Sequence, residues 1–149
     1  MKFEHSVAVQ APKQKLWDLL MDVPRVAKCV PGVESVEALG DDKYRGTLKV
    51  SVGPIKLALQ GDISITDSNQ DAGKAAMRAD AADKRVGGAV KATMDMQVDE
   101  ASADTSNLTI VTDAQVMGRI GEFGQPIIRK KADQIMQEFA RNLSKEVSA

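Results

Sequence analysis

Aromatic side chains are scarce in this chain of 149 residues: three Phe, one Trp and one Tyr. Such rings supply much of the volume of ordinary cores. A sheet faced instead with Ala, Gly and Met either packs closely or leaves a space. There is one histidine, His5, which excludes a three-histidine zinc site and any catalytic triad needing a second imidazole. There is one cysteine, Cys29, so no internal disulfide forms and a reducing compartment is expected. No apolar run approaches the ~20 residues that span a bilayer. The opening Met1-Lys2-Phe3-Glu4-His5 lacks the apolar segment of a secretory signal. A net charge of -1 implies no general attraction to nucleic acid or to anionic lipid. These absences predict a cytoplasmic protein with one domain over 1–149, long enough to bury a sizeable core.

What is present is periodic. The final stretch, 117–148, organises the rest. From Ile128 the apolar residues Ala132, Ile135, Met136, Phe139 and Leu143 recur at three-four spacing, the mark of a helix with one greasy stripe. Such a helix needs a broad apolar surface, and the preceding chain offers mainly strands. Residues 2–9 alternate as a first strand. Pro12 opens a helix whose buried side is Leu16, Trp17, Leu19 and Leu20, and a second short helix spans roughly 24–29 before Pro31-Gly32. Alternation then predicts strands over 33–39, 44–52, 55–65, 74–82, 90–98 and 108–116. Gly40-Asp41-Asp42 reads as a hairpin turn, 67–73 as a polar loop, and Gly87-Gly88 as a bulge. The expected class is α+β: a curved antiparallel meander of about seven strands, two short helices after strand one, and a long C-terminal helix.

Several local sequences carry a family likeness. They are Trp17-Asp18-Leu19-Leu20, Val26-Ala27-Lys28-Cys29-Val30-Pro31-Gly32, Tyr44-Arg45-Gly46, Val52-Gly53-Pro54-Ile55, Gly61 and Met117-Gly118-Arg119-Ile120-Gly121-Glu122-Phe123-Gly124. As an ordered set spanning the chain, they resemble the CoxG family, named for the G-type subunit of carbon monoxide dehydrogenase. That family lies within the START/polyketide-cyclase-like helix-grip (SRPBCC) superfamily. The resemblance implies a sheet gripping a helix around an apolar cavity. It also implies an accessory role beside a molybdenum hydroxylase of the carbon monoxide dehydrogenase type, in maturation, quinone delivery or membrane attachment. Some longer members carry a membrane-seeking C-terminal extension. Here, with the sequence ending at Ala149, no built-in anchor is expected, and membrane contact is expected to be peripheral, at the inner face.

The candidate ligand cavity comprises Trp17, Leu48, Val50, Leu57, Leu59, Met77, Met94, Met96, Ala114, Val116, Ile120, Phe123, Ile127 and Ile135. Gly118, Gly121 and Gly124 are its candidate gate. Lacking the Lys-Ser/Thr of a nucleotide loop, these glycines are read as a close backbone approach or hinge, not a phosphate cradle. Met77, Met94, Met96, Met117 and Met136 are expected on inner faces, either as ordinary core or as a pliable wall. Cys29 is expected as a buried small apolar residue bordering the cavity mouth, and His5 as structural. The basic flank Arg129-Lys130-Lys131 with Arg141 and Lys145 is expected to be a solvated face, since no aromatic stacking platform accompanies it for nucleic acid. The leading expectation is a non-catalytic module holding a quinone or lipid-like molecule, with no metal and no covalent cofactor. The rivals are a cyclase or dehydratase using the inward polar residues His5, Tyr44 and Thr112, and an assembly chaperone that binds no ligand.

Overall fold

The alternation of residues 2–9 becomes β1 (Lys2–Val9), the first strand of a computed structural model that describes residues 1–148. The expected domain end at Ala149 lies outside them. Pro12 caps α1 (Lys13–Met21) rather than entering it, and Leu16, Trp17, Leu19 and Leu20 face inward. Asp22 ends α1, and its side chain accepts from the Arg25 amide to start α2 (Val23–Ala27). The meander follows as β2 (Val33–Gly40), β3 (Lys43–Val52), β4 (Ile55–Asn69), β5 (Lys74–Asp83), β6 (Gly88–Glu100) and β7 (Ser106–Gly118). A 3₁₀ turn (Arg119–Phe123) leads into α3 (Gln125–Val147). All neighbours pair antiparallel in the order β1-β7-β6-β5-β4-β3-β2, so β1 and β2 are the edges. This is the seven-stranded α+β architecture that alternation and resemblance implied.

Three local expectations are corrected. The polar stretch 67–73 is not all loop: a register shift between Ile65 and Asp67 keeps β4 paired to Asn69. The extra residue absorbs the change of alternation, so polar side chains continue on the exposed strand end. Gly87-Gly88 closes the β5–β6 turn instead of bulging a strand, because Asp83 pairs directly with Gly88. Met117 is adjacent to inward Val116 and therefore lies on the outer face, 38% exposed. The β2–β3 turn is as expected: Asp41 and Asp42 both take left-handed φ, 52° and 60°, as a type I′ hairpin requires.

Sheet curvature has a visible cause at one register pair. Gly46 opposes Gly61, and a Cβ at Gly61 would run into the Asp80 carbonyl oxygen. Only glycine permits that approach between neighbouring strands. Buried apolar side chains then form two clusters. The larger unites α1, β1, the β6–β7 end and the C-terminal half of α3 through Leu16, Leu19, Val98, Leu108 and Leu143. The smaller, at the opposite end of the sheet, contains Val52, Leu57 and Ile120, with Val90, Val116 and Phe123 packed against them.

Candidate functional site

The space between these clusters is set by strand register. On the helix-facing side, Ala75, Met96 and Ile110 form one row across β5, β6 and β7. The next rows are Met77, Met94 and Thr112, then Ala79, Ala92 and Ala114, then Ala81, Val90 and Val116. The first belongs to the larger core, whereas Val90 and Val116 pack against the smaller. The alanine row falls between. Ala79, Ala92, Met77 and Met94 remain partly exposed even though they face α3. Small side chains at the centre of a sheet that is filled at both ends leave an under-filled, partly exposed strip, a trough in the packing around Ala79 and Ala92. Ile63 continues it across β4, beside Ala79.

The roof is α3, and it is held unevenly. Its second half is fixed by buried Phe139, Leu143 and Val147. Arg25 adds two bonds from α2, Nε to the Glu146 carboxylate at 2.6 Å and Nη2 to its carbonyl at 3.0 Å. Asn142 donates to the Cys29 carbonyl at 3.0 Å. Over the trough, Ile128, Ala132, Ile135 and Met136 are only partly buried. There α3 is tied to β1: His5 Nε2 lies 2.9 Å from Asp133 Oδ1, and Arg129 donates to the Lys2 carbonyl while stacking 5.0 Å over Phe3. On its other flank, towards β3, a groove of ≈ 450 Å³ opens, lined by Val50, Ile135, Lys49, Lys131, Glu138 and Arg141 among others. A second concavity of ≈ 520 Å³ lies on the outer face, around the Arg45–Asp62 ion pair.

The expected cavity residues therefore occupy different places. Val50 and Ile135 line the groove, Met94 and Ala114 lie in the central rows, and Leu48 pairs with Leu59. Val50, Leu59, Val116 and Phe123 pack against the smaller core and Met77 against the larger. Trp17 and Met96 are sealed in the larger core, and Leu57 and Ile120 in the smaller. Ile127, in the first turn of α3, is 52% exposed. Gly118 and Gly124 have positive φ of 70° and 85°, and Gly121 does not. A Cβ at Gly118 would meet the Gly87 carbonyl, so this glycine serves the close approach of the 3₁₀ turn to the β5–β6 turn. Cys29 is sealed in the larger core, not at a mouth, and burial pushes its thiol up. The basic flank is not wholly solvated, since Arg129 clasps Phe3 and Lys131 lines the groove. The three inward polar residues do not converge: three strands separate Thr112 on β7 from Tyr44 on β3, and His5 is engaged by Asp133. Among the described residues, no group of three His, Cys, Asp or Glu side chains could hold a metal ion, and no helix is long and apolar enough to cross a membrane.

Two features escape a reading of the sequence alone. The alanine floor needs cross-strand register, which alternation does not supply. The other is Asp83, buried in the β5–β6 turn. It accepts from Ala58 N at 2.8 Å, Arg85 N at 3.0 Å and Val86 N at 3.2 Å. An Asp opening a Gly-containing turn is the available signal. The Ala58 amide, then those of Val86 and Arg85, holds this carboxyl below the usual carboxylate range, against the opposing effect of burial. A depressed folded pKa stabilises above the unfolded value, about 3.9, and that stability is lost as pH falls through the folded pKa. The melting-temperature gap between wild type and Asp83→Asn is thus expected to be full at neutral pH. It should shrink steadily below about pH 4, as thermal melts across a pH series would record.

A family model described as the G-type subunit of carbon monoxide dehydrogenase (CoxG) matches residues 6–148. No curated protein matches the sequence. Among solved structures, a conserved protein from Geobacillus kaustophilus superposes with a TM-score of 0.90 at 22% identity, covering 99% of this chain and 95% of that one. A START superfamily protein from Mycobacterium smegmatis gives 0.74 at 11% identity, with coverages of 99% and 97%. The Zhui aromatase/cyclase from Streptomyces sp. R1128 gives 0.72 at 19%, with 99% and 93%. At these identities the likeness establishes the fold, a START-like helix grip.

Proposed function

The chain belongs to the CoxG family of carbon monoxide dehydrogenase, and from that membership and the trough beneath α3 we propose a non-catalytic module that holds a hydrophobic small molecule. The observation that carries this reading is the alanine row Ala79, Ala92 and Ala114, left between two filled cores. Its apolar walls suit an isoprenoid quinone or a lipid chain. Each 100 Å² of ligand surface withdrawn from water would contribute about 2.5 kcal/mol. Met77, Met94 and Met136 add a wall that adapts to irregular shapes. The family supports an accessory role beside a molybdenum hydroxylase, with quinone delivery as the form that best fits an apolar site.

The aromatase/cyclase fold neighbour supports a rival, catalytic reading. General acid–base chemistry needs polar groups within reach of one substrate, but three strands separate Tyr44 on β3 from Thr112 on β7, and His5, on β1 beside β7, is engaged by Asp133. A ligand-free chaperone would leave the trough without a purpose. The test is a thermal melt with a short-chain quinone. At a ligand concentration of ~100 times Kd the native state gains about 2.7 kcal/mol, a rise of several degrees. An unchanged melting temperature with both quinones and lipids would contradict the proposal.

A further inference from the structure

The basic flank of α3 is only partly engaged by the rest of the fold. Arg129 is committed to Phe3 and the Lys2 carbonyl, whereas Lys131 and Arg141 line the ≈ 450 Å³ groove between α3 and β3. Their spacing accounts for this. Lys131, Gln134, Glu138 and Arg141 recur every three or four residues and so form one stripe along the helix. The facing wall is Lys49, Val50 and Ser51 of β3, with Pro31 and Gly32 beside it. Gly32 is locked to that wall: Lys49 N donates to its carbonyl at 2.8 Å, and a Cβ there would run into the Lys49 carbonyl. Positive charge gathers between these walls. Lys49 lies 3.0 Å from Glu34, but among the described residues Lys131 and Arg141 form no ion pair. Of the described residues in the lining, Glu138 is the one carboxylate against three cations, and none is aromatic. Pro31, Val50 and Ile135, each partly buried, supply its apolar surface.

We propose that this groove is a second binding site, for a free aliphatic amphiphile with an anionic head, a carboxylate or a phosphate. The head is received by Arg141, whose planar fork matches two oxygens at once, with Lys131 and Lys49 as point charges across the groove. Gln134 and Ser51 supply neutral donors. The chain lies along Val50 and Ile135, and a lining without aromatic rings suits a saturated chain over a flat one. A merely solvated row of cations would sit on one convex helix face. Here a cation from β3 faces two from α3 across apolar surface, and a concave site with low-dielectric walls concentrates its field on a counter-ion. Glu138 works against the anion and sets how tightly it is held. The site selects for charge, unlike the alanine row, and its test stands apart from the trough.

The test is calorimetric titration of the full chain, at low salt, with octanoate, octyl phosphate, octanol and acetate. At least one of the two octyl anions should bind with one-to-one stoichiometry, and the tighter of them identifies the head. Octanol, which keeps the chain and loses the charge, should bind about tenfold or more weakly. Acetate, which keeps the charge and loses the chain, should bind about a hundredfold more weakly. High salt should weaken the anions and leave octanol unchanged. Lys131→Gln with Arg141→Gln should cost the tighter anion about tenfold or more, and Glu138→Gln should tighten it. Lys74→Gln with Lys91→Gln, exposed on other strands, should leave it unchanged. Thermal melts confirm that these surface variants fold. Failure of both octyl anions to bind would overturn the proposal. Equal affinity for the anions and octanol would overturn it too, as would undiminished binding by the folded Lys131 and Arg141 variant.

Discussion

Replacing Ala92 by Phe is expected to abolish uptake of an apolar ligand while leaving the protein folded. Ala92 lies at the centre of the alanine row, with Ala79 and Ala114 as its register partners, and it is partly exposed on the helix-facing side. A phenyl ring there would occupy the space assigned to the ligand. A side chain of that size buries roughly 150–250 Å². Loss of an equivalent ligand contact corresponds to about 4–6 kcal/mol, a thousandfold or more in affinity. Because the ring fills existing space, the melting temperature should hold or rise. Titration with a short-chain quinone, paired with a thermal melt, reads both quantities. Unchanged affinity in a folded variant would place the ligand elsewhere.

The largest loss of stability is expected from Leu143→Ala. Leu143 is 0% exposed in the larger core, on the anchored half of α3. Removing its branched end leaves a cavity that the close-packed surroundings only partly refill, at about 2–5 kcal/mol. Ile127→Ala, on the same helix but exposed, should stay within about 0.5 kcal/mol. Ile135→Ala, at the groove, should fall between them, because that side chain is only partly buried. Urea denaturation of the three variants would show whether α3 is anchored at its C-terminal half and loosely seated over the trough. Equal losses for Leu143→Ala and Ile135→Ala would mean a continuously packed interface.

Much of the fold is legible because the signals are local. Period-two alternation locates each strand, and turn sequences such as Gly40-Asp41-Asp42 and Gly53-Pro54 separate them. Where a signal is not local, sequence pattern misleads. A register shift at Ile65 and Asp67 disguises a strand end as a loop, and Gly87-Gly88 could serve equally as bulge or turn. Met117 follows inward Val116 and so has to face outward. Site residues depend on more than parity. Trp17, Leu57, Met96 and Ile120 share the apolar character of a cavity wall, yet they sit at the filled ends of the sheet. Distinguishing end from centre needs the cross-strand register, which turns and bulges set together.

The central claim, a hydrophobic cargo in the trough, is tested most directly by native mass spectrometry of the protein after incubation with a bacterial lipid extract. Organic extraction would identify whatever is retained. The account predicts a stoichiometric adduct, a quinone or a lipid, that is absent from Ala92→Phe handled in the same way. A clean unliganded mass for the wild type would contradict it. So would an adduct retained equally by the filled variant.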